Sequence, residues 1–116
     1  MRTREEAIAA CLSFPDAFED YPFSDLNYTA MRHKTNQKTF AFILEREGKI
    51  WINLKVDPQW RNFWIDAYEA VVPGYHMNKT HWISVILDGS ITDGQIIPLI
   101  EESYNITQSK KRSKNK

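Results

Sequence analysis

Hydrophobic residues recur at helical spacing in three stretches of the chain and at strand spacing in four others, and their order predicts an α+β fold. Thr3 with Glu6 three residues on forms a capping pattern, after which Ile8, Cys11 and Leu12 trace a helix that Pro15 stops. Residues 15–22 mix acids with aromatics between two prolines and predict a loop with a short edge strand. Strands are predicted over Leu26 to His33, Thr39 to Arg46 and Ile50 to Val56, separated by the polar turns 34–38 and 47–49. With a three-residue turn at Glu47-Gly48-Lys49, Phe40, Phe42 and Leu44 would share a face with Ile50, Ile52 and Leu54. A two-residue turn would set Phe42 opposite Asn53 and put an amide into that face, so the longer turn is the expectation.

Asp57-Pro58 supplies an N-cap and a first-turn proline, and the stripe Trp60, Phe63, Trp64, Ala67 and Val71 predicts a helix reaching nearly to Pro73-Gly74. His81 to Leu87 is the last predicted strand, stopped by Asp88-Gly89. Thr92 with Gln95 opens a third helix to about residue 107, and Pro98 inside it predicts a kink or a later start. The sum is an antiparallel sheet of about five strands with three helices on one side, in the order α-β-β-β-β-α-β-α. Residues 1–108 are expected to form one domain, and 109–116, with five bases and no apolar residue, a disordered basic tail.

Composition adds limits. At 116 residues with 42% hydrophobic content, the chain is long enough for a core but short for two domains. Its 15 bases and 15 acids cancel, yet the five bases beyond residue 109 leave ten against fifteen, a net of −5, for the rest. Residues 32–61 reverse that balance with seven bases to three acids, so charge is zoned along the chain. No apolar run is long enough to span a membrane and no secretory signal opens the sequence, so a cytoplasmic location without membrane attachment is expected. The lone Cys11 lies on the apolar side of its helix and reads as a core residue.

The densest polar cluster is Pro73-Gly74-Tyr75-His76-Met77-Asn78-Lys79-Thr80-His81-Trp82, at the connection into the last strand. Its two histidines are five apart and no cysteine lies near, which argues against a metal site. No serine sits in a glycine-flanked elbow, and four glycines in all provide no phosphate-cradling loop, so no enzyme and no cofactor is implied. Lysines that meet phosphates, an asparagine that donates to phosphate or base edges and exposed aromatics that stack would suit a nucleic acid. In the structural alternative Tyr75, Met77 and Trp82 pack under the sheet while His76 and His81 hold the connection.

These residues resemble the MmcQ/YjbR family, small bacterial proteins to which DNA binding is ascribed. The resemblance rests on residues 73–79, His81-Trp82, Leu87-Asp88-Gly89 and Ser103-Tyr104, with Lys38, Phe40-Ala41, Asn53-Leu54-Lys55 and Pro58 also fitting. It implies a CyaY-like fold whose strand hairpins form a double wing against DNA. On that basis the expected function is non-enzymatic, weak and salt-dependent DNA binding. The expected contacts are Lys34, Lys38 and Lys49 at the hairpin tips, Lys55, and His76, Asn78, Lys79 and His81 of the connection, with Tyr75, Trp82, Asp88, Gly89 and Tyr104 as a structural signature. Two alternatives stand beside it. One is a protein-interaction or chaperone-like module. The other is a frataxin-like, metal-linked role for the acids Glu5, Glu6, Asp16, Glu19 and Asp20, drawn from fold analogy.

Overall fold

The computed structural model describes residues 1–108; the expected basic tail lies outside the described residues. Its elements run α1 (Arg4–Leu12), β1 (Ala17–Asp20), β2 (Thr29–His33), β3 (Thr39–Arg46), β4 (Lys49–Lys55), α2 (Pro58–Ala67), β5 (Val71–Pro73), β6 (Trp82–Ile86) and α3 (Asp93–Thr107). All strand pairs are antiparallel, in the order β1-β2-β3-β4-β6-β5. Helix α1 packs across β1 to β3, α3 over β3 and β4, and α2 over β5 and β6. The core beneath them takes Met31, Ala41, Ile43, Ile52, Leu54, Ile83 and Val85 from the sheet and Ala7, Cys11, Ile96, Leu99, Ile100 and Tyr104 from α1 and α3.

The caps form where the sequence places them. Glu6 Oε1 accepts from the backbone N–H groups of Arg2 and Thr3, which also holds its carboxyl below the ordinary value. Asp57 accepts from Gln59 N, with Pro58 at the first position of α2. Helix α3 opens at the Thr92–Gln95 pair and runs through Pro98 rather than starting later, the proline removing one bond on an exposed side.

Two expectations fail, each for a physical reason. First, the β3–β4 turn has two residues: Arg46 pairs with Lys49, and Glu47 and Gly48 both take positive φ (55° and 77°), the geometry that matches strand twist. The register therefore shifts. Ala41 and Ile43 face Leu54 and Ile52 on the helix side, while Phe42 lies opposite Asn53 and Leu44 opposite Trp51 on the other face. Phe40 still reaches the helices, because a bulge between β2 and β3 pairs Met31 with Ala41 but Arg32 with Thr39 and leaves Phe40 as the extra residue. Second, α2 ends at Ala67 and Val71–Pro73 is a sixth strand, β5, hydrogen-bonded along β6. The helical stripe misleads because Trp60 and Phe63 are exposed and no residue of α2 is fully buried. Strand β2 is also shorter than expected, beginning at Thr29.

Ser103 joins α3 to the sheet where the β3–β4 ladder ends. Its Oγ donates to Phe40 O at 2.6 Å and accepts from Lys55 N at 2.8 Å, standing in for the missing strand partner of each. Tyr104 OH donates to Pro15 O at 2.6 Å while its ring stacks on Phe14, which ties the helix to the α1–β1 connection. Arg4 does similar work for α1, donating to Asn27 O, Asn27 Oδ1, Thr29 Oγ1 and Ile43 O. Burial pushes the Cys11 thiol up to about 12, as a core cysteine requires.

Candidate functional site

Because side chains alternate along a strand, the register assigns a second set of residues to the face away from the helices. These are Phe18 and Asp20 of β1, Ala30 and Arg32 of β2, Phe42, Leu44 and Arg46 of β3, Lys49, Trp51, Asn53 and Lys55 of β4, and Trp82 and Ser84 of β6. Among the described residues no helix covers this face. Two connections fold over it instead: residues 21–28 from the β1–β2 end, and 74–81 from the opposite end.

The 74–81 connection is pinned by the amide that the sequence pattern had placed badly. Asn53 Nδ2 donates to Tyr75 O at 3.0 Å, Ser84 Oγ donates to Asn53 Oδ1, and Tyr75 N donates to Ser84 Oγ at 2.8 Å. Asn53 and Ser84 are fully buried, and this closed triangle satisfies both. Gly74 permits the fold-back, since a Cβ there would lie 2.8 Å from Trp82 Cβ. From this anchor Tyr75 lies against Trp51 (5.8 Å between centroids) and stacks on His76 (4.0 Å), while the Arg46 guanidinium covers Trp51 and Tyr75 at 4.9 and 4.4 Å.

Where the two connections meet, Phe23, Tyr28, Phe42, His76 and Met77 line a half-open cavity of about 230 Å³. Among these, Phe42 is stacked on Phe23 at 6.0 Å and lies beside Trp82 at 6.1 Å, and Phe23 meets Tyr28 edge-on. Burial, then the neighbouring Tyr75 and Asp25, raise the Tyr28 hydroxyl above its ordinary pKa, so it is a neutral donor at the wall. His76 has φ of 59°, a left-handed conformation that a residue with a Cβ rarely takes.

The expected contact residues fall into two groups. Lys49 and Lys55 lie on the helix-free face at opposite ends of β4, with His76 and Lys79 in the connection folded over it, whereas Lys34 and Lys38 stand in the β2–β3 turn, beyond the end of the sheet that carries Lys55. That turn and the β3–β4 turn lie at opposite ends of β3, on the order of 20 Å apart. Asn78 and Lys79 are exposed but engaged: Asn78 Oδ1 accepts from Thr80 N and His81 N, and Lys79 Nζ donates to Gly74 O at 2.8 Å. His81 is exposed beside the start of β6, its carbonyl accepting from Val56 N. Of the signature residues, Tyr75, Trp82 and Tyr104 pack as described, and Asp88 closes the turn at Gly89 by accepting from Ser90 N and Oγ, which lowers its pKa.

Sequence reasoning passed over Phe23, Tyr28 and Phe42 as site residues, while Met77 stands in the polar cluster it singled out and Arg46 at the hairpin tip. Phe42 was placed in the core by the assumed register, and Phe23 and Tyr28 are brought to it only by the folded-back connections. Among the described residues no group of three or more His, Cys, Asp and Glu side chains is placed to hold a metal ion, and no helix is long and apolar enough to cross a membrane. Glu5 and Glu6 lie in the first turn of α1 and Asp16, Glu19 and Asp20 in and beside β1.

Comparison with known proteins agrees with the fold. The YjbR family model matches residues 12–106. YyaQ of Bacillus subtilis (strain 168) is 34% identical over 119 residues, covering 93% of this chain and all of its own length. YjbR of Escherichia coli (strain K12) is 33% identical over 102 residues, 88% of this chain and 84% of its own. The crystal structure of the DUF419 protein DR2400 of Deinococcus radiodurans superposes with a TM-score of 0.81 at 28% identity, over 91% of this chain and 78% of that one. A crystal structure from Pseudomonas syringae gives 0.80 at 29% identity, over 91% of this chain and 99% of that one.

Proposed function

The chain belongs to the YjbR family, and from that premise we propose that it binds nucleic acid through the helix-free face of its sheet and performs no chemistry on its ligand. The observation that carries this reading is the segregation of charge across the sheet. The strands of the helix-free face bear Arg32, Arg46, Lys49 and Lys55 against Asp20, which Arg32 bridges at 3.3 Å, while Glu47 of the β3–β4 turn bridges Arg46 at 3.3 Å and Asp25 stands in the 21–28 connection. The helices and the other face carry Glu5, Glu6, Glu19, Glu45, Asp66, Asp93, Glu101 and Glu102 against Arg4 and Arg61. Among the described residues Lys49 and Lys55 make no ion pair, so their charge is free for an anion. A protein whose described body is acidic overall can thus present one positive, aromatic-rich surface to a polyanion.

In this reading phosphates meet Lys49, Arg46 and Lys55, with Lys79 and His76 at the folded-back connection. Lys34, Lys38 and His81 extend the positive surface at one end. Asn78 acts as the lock of its loop rather than as a contact. Anisotropy of labelled DNA, titrated with protein between ~50 and 200 mM salt, tests it. We expect log Kd to rise with log salt, and Lys49→Gln or Lys55→Gln each to reduce the slope by about 0.7 to 0.9. No binding at ~50 mM salt, or variants that leave affinity and slope unchanged, would remove the reading.

A second reading, a protein-interaction module, is favoured by one feature. Trp60 and Phe63 pack edge-on on α2 with 45% and 53% of their surface exposed, an apolar patch outside the core. A partner captured with wild type and lost with Trp60→Ala, in nuclease-treated extract, would support it.

A further inference from the structure

We infer that the cavity between the two folded-back connections is a subsite for one unpaired nucleobase, which makes the ligand class single-stranded nucleic acid; this rests on the reading of the helix-free face given above. The cavity's walls are rings from three separate segments, Phe42 from β3, Phe23 and Tyr28 from the β1–β2 connection, and His76 from the β5–β6 connection, with the Met77 thioether. Such a lining favours a flat, polarisable ring, which gains from stacking on each wall. At about 230 Å³ it is smaller than the roughly 300–1,000 Å³ of sites for drug-sized molecules, so it suits one ring system. The Tyr28 hydroxyl and the His76 imidazole, both among its lining side chains, supply polar groups for a base edge.

Its position supplies the rest. Phe42 is opposite Asn53, which lies on β4 between Lys49, which pairs with Arg46, and Lys55, which pairs with Trp82. Cations on one face therefore flank the cavity on both sides, separated by six strand residues or about 20 Å. A strand that crosses the mouth of the cavity, passing beside the 74–81 connection that covers Trp51 and Asn53, can set phosphates toward these cations and one base against Phe42. In a duplex the bases stay stacked inside, where a recessed pocket cannot reach their faces. The left-handed backbone of His76 adds a second, independent sign. The unfavourable conformation places the imidazole parallel to Tyr75 and at the cavity wall, and the Asn53–Ser84 anchor one residue away holds it there.

Three labelled ligands of equal length separate the possibilities: oligo(dT), a strand with the same phosphates but abasic sugars, and a duplex. We expect oligo(dT) to bind roughly five- to a hundred-fold tighter than the abasic strand, at the same salt slope. Phe23→Ala, which removes a ring that is 48% exposed, should collapse that ratio toward one without lowering the melting temperature, and Met77→Ala should reduce it. Equal affinity for oligo(dT) and the abasic strand, a ratio unmoved in both variants, or tighter binding of duplex would overturn the base subsite while leaving the phosphate-binding face intact. Failure of all three ligands to bind would overturn the face itself. Concentration-dependent dimerisation in sedimentation, abolished by Phe23→Ala, would instead give the cavity to a second copy of the chain.

Discussion

Asn53 shows how one side chain can contradict a sequence pattern and still be well placed. An amide in an apolar strand is costly when unpaired, but here Ser84 and the Tyr75 backbone take its oxygen and one N–H. Asn53→Leu should cost about 1–3 kcal/mol in urea unfolding by stranding Ser84 and Tyr75 O, and should speed amide exchange at Tyr75. His33 is the counterpart on the helix side. It is buried, its Nε2 shares a 2.7 Å hydrogen bond with Thr107 Oγ1, and that hydroxyl lies 2.8 Å from Ser103 O. Burial, aided by the Lys38 charge, holds its pKa below the ordinary histidine value. The unfolded chain therefore takes up the proton first as pH falls, so this contribution to stability is intact above pH ~6.5 and is lost toward and through the lower folded-state pKa. Chemical denaturation from pH 7.5 to 5 should show that loss, and His33→Leu should remove part of it.

The β3–β4 turn and the 74–81 connection decide the site at the level of elements. Glu47-Gly48 fixes the register, and the register fixes which residues the helix-free face displays. Gly48→Val should cost about 1–2 kcal/mol, measured by thermal or urea unfolding, because φ of 77° places a Cβ against the backbone. Ser103→Ala should cost a similar 1–3 kcal/mol by leaving Phe40 O and Lys55 N without partners where β3 and β4 part. The capping pairs at Thr3 and Thr92, and Asp57-Pro58, were legible because each acts within four residues. Strand β5 was not: its three residues gain strand geometry only by pairing with β6, and the aromatic run before them imitates a longer helix.

For the whole molecule, the feature that matters is the separation of charge between the helical layer and the helix-free sheet face. Net charge along the sequence already marked residues 32–61 as basic, yet it could not say that Arg46, Lys49 and Lys55 share a face with Phe42 and Trp82. If that face binds the polyanion, Lys49→Gln with Lys55→Gln should weaken DNA binding more than Lys34→Gln with Lys38→Gln, because the first pair stands on a strand of the face and the second in a turn beyond it. Both double variants remove the same charge, so equal losses in the anisotropy titration would point to a diffuse electrostatic contact instead.

The amino-acid sequence by itself determined the number of helices, most of the strands, their caps and the α+β class, since spacing, capping and turn residues act over a few positions. Tertiary structure alone decided which face each strand residue occupies. A shift of one residue inverts a strand; the two-residue Glu47-Gly48 turn sets that register, and the fold accommodates it because Asn53 finds partners 22 and 31 positions away and two distant connections close over its face.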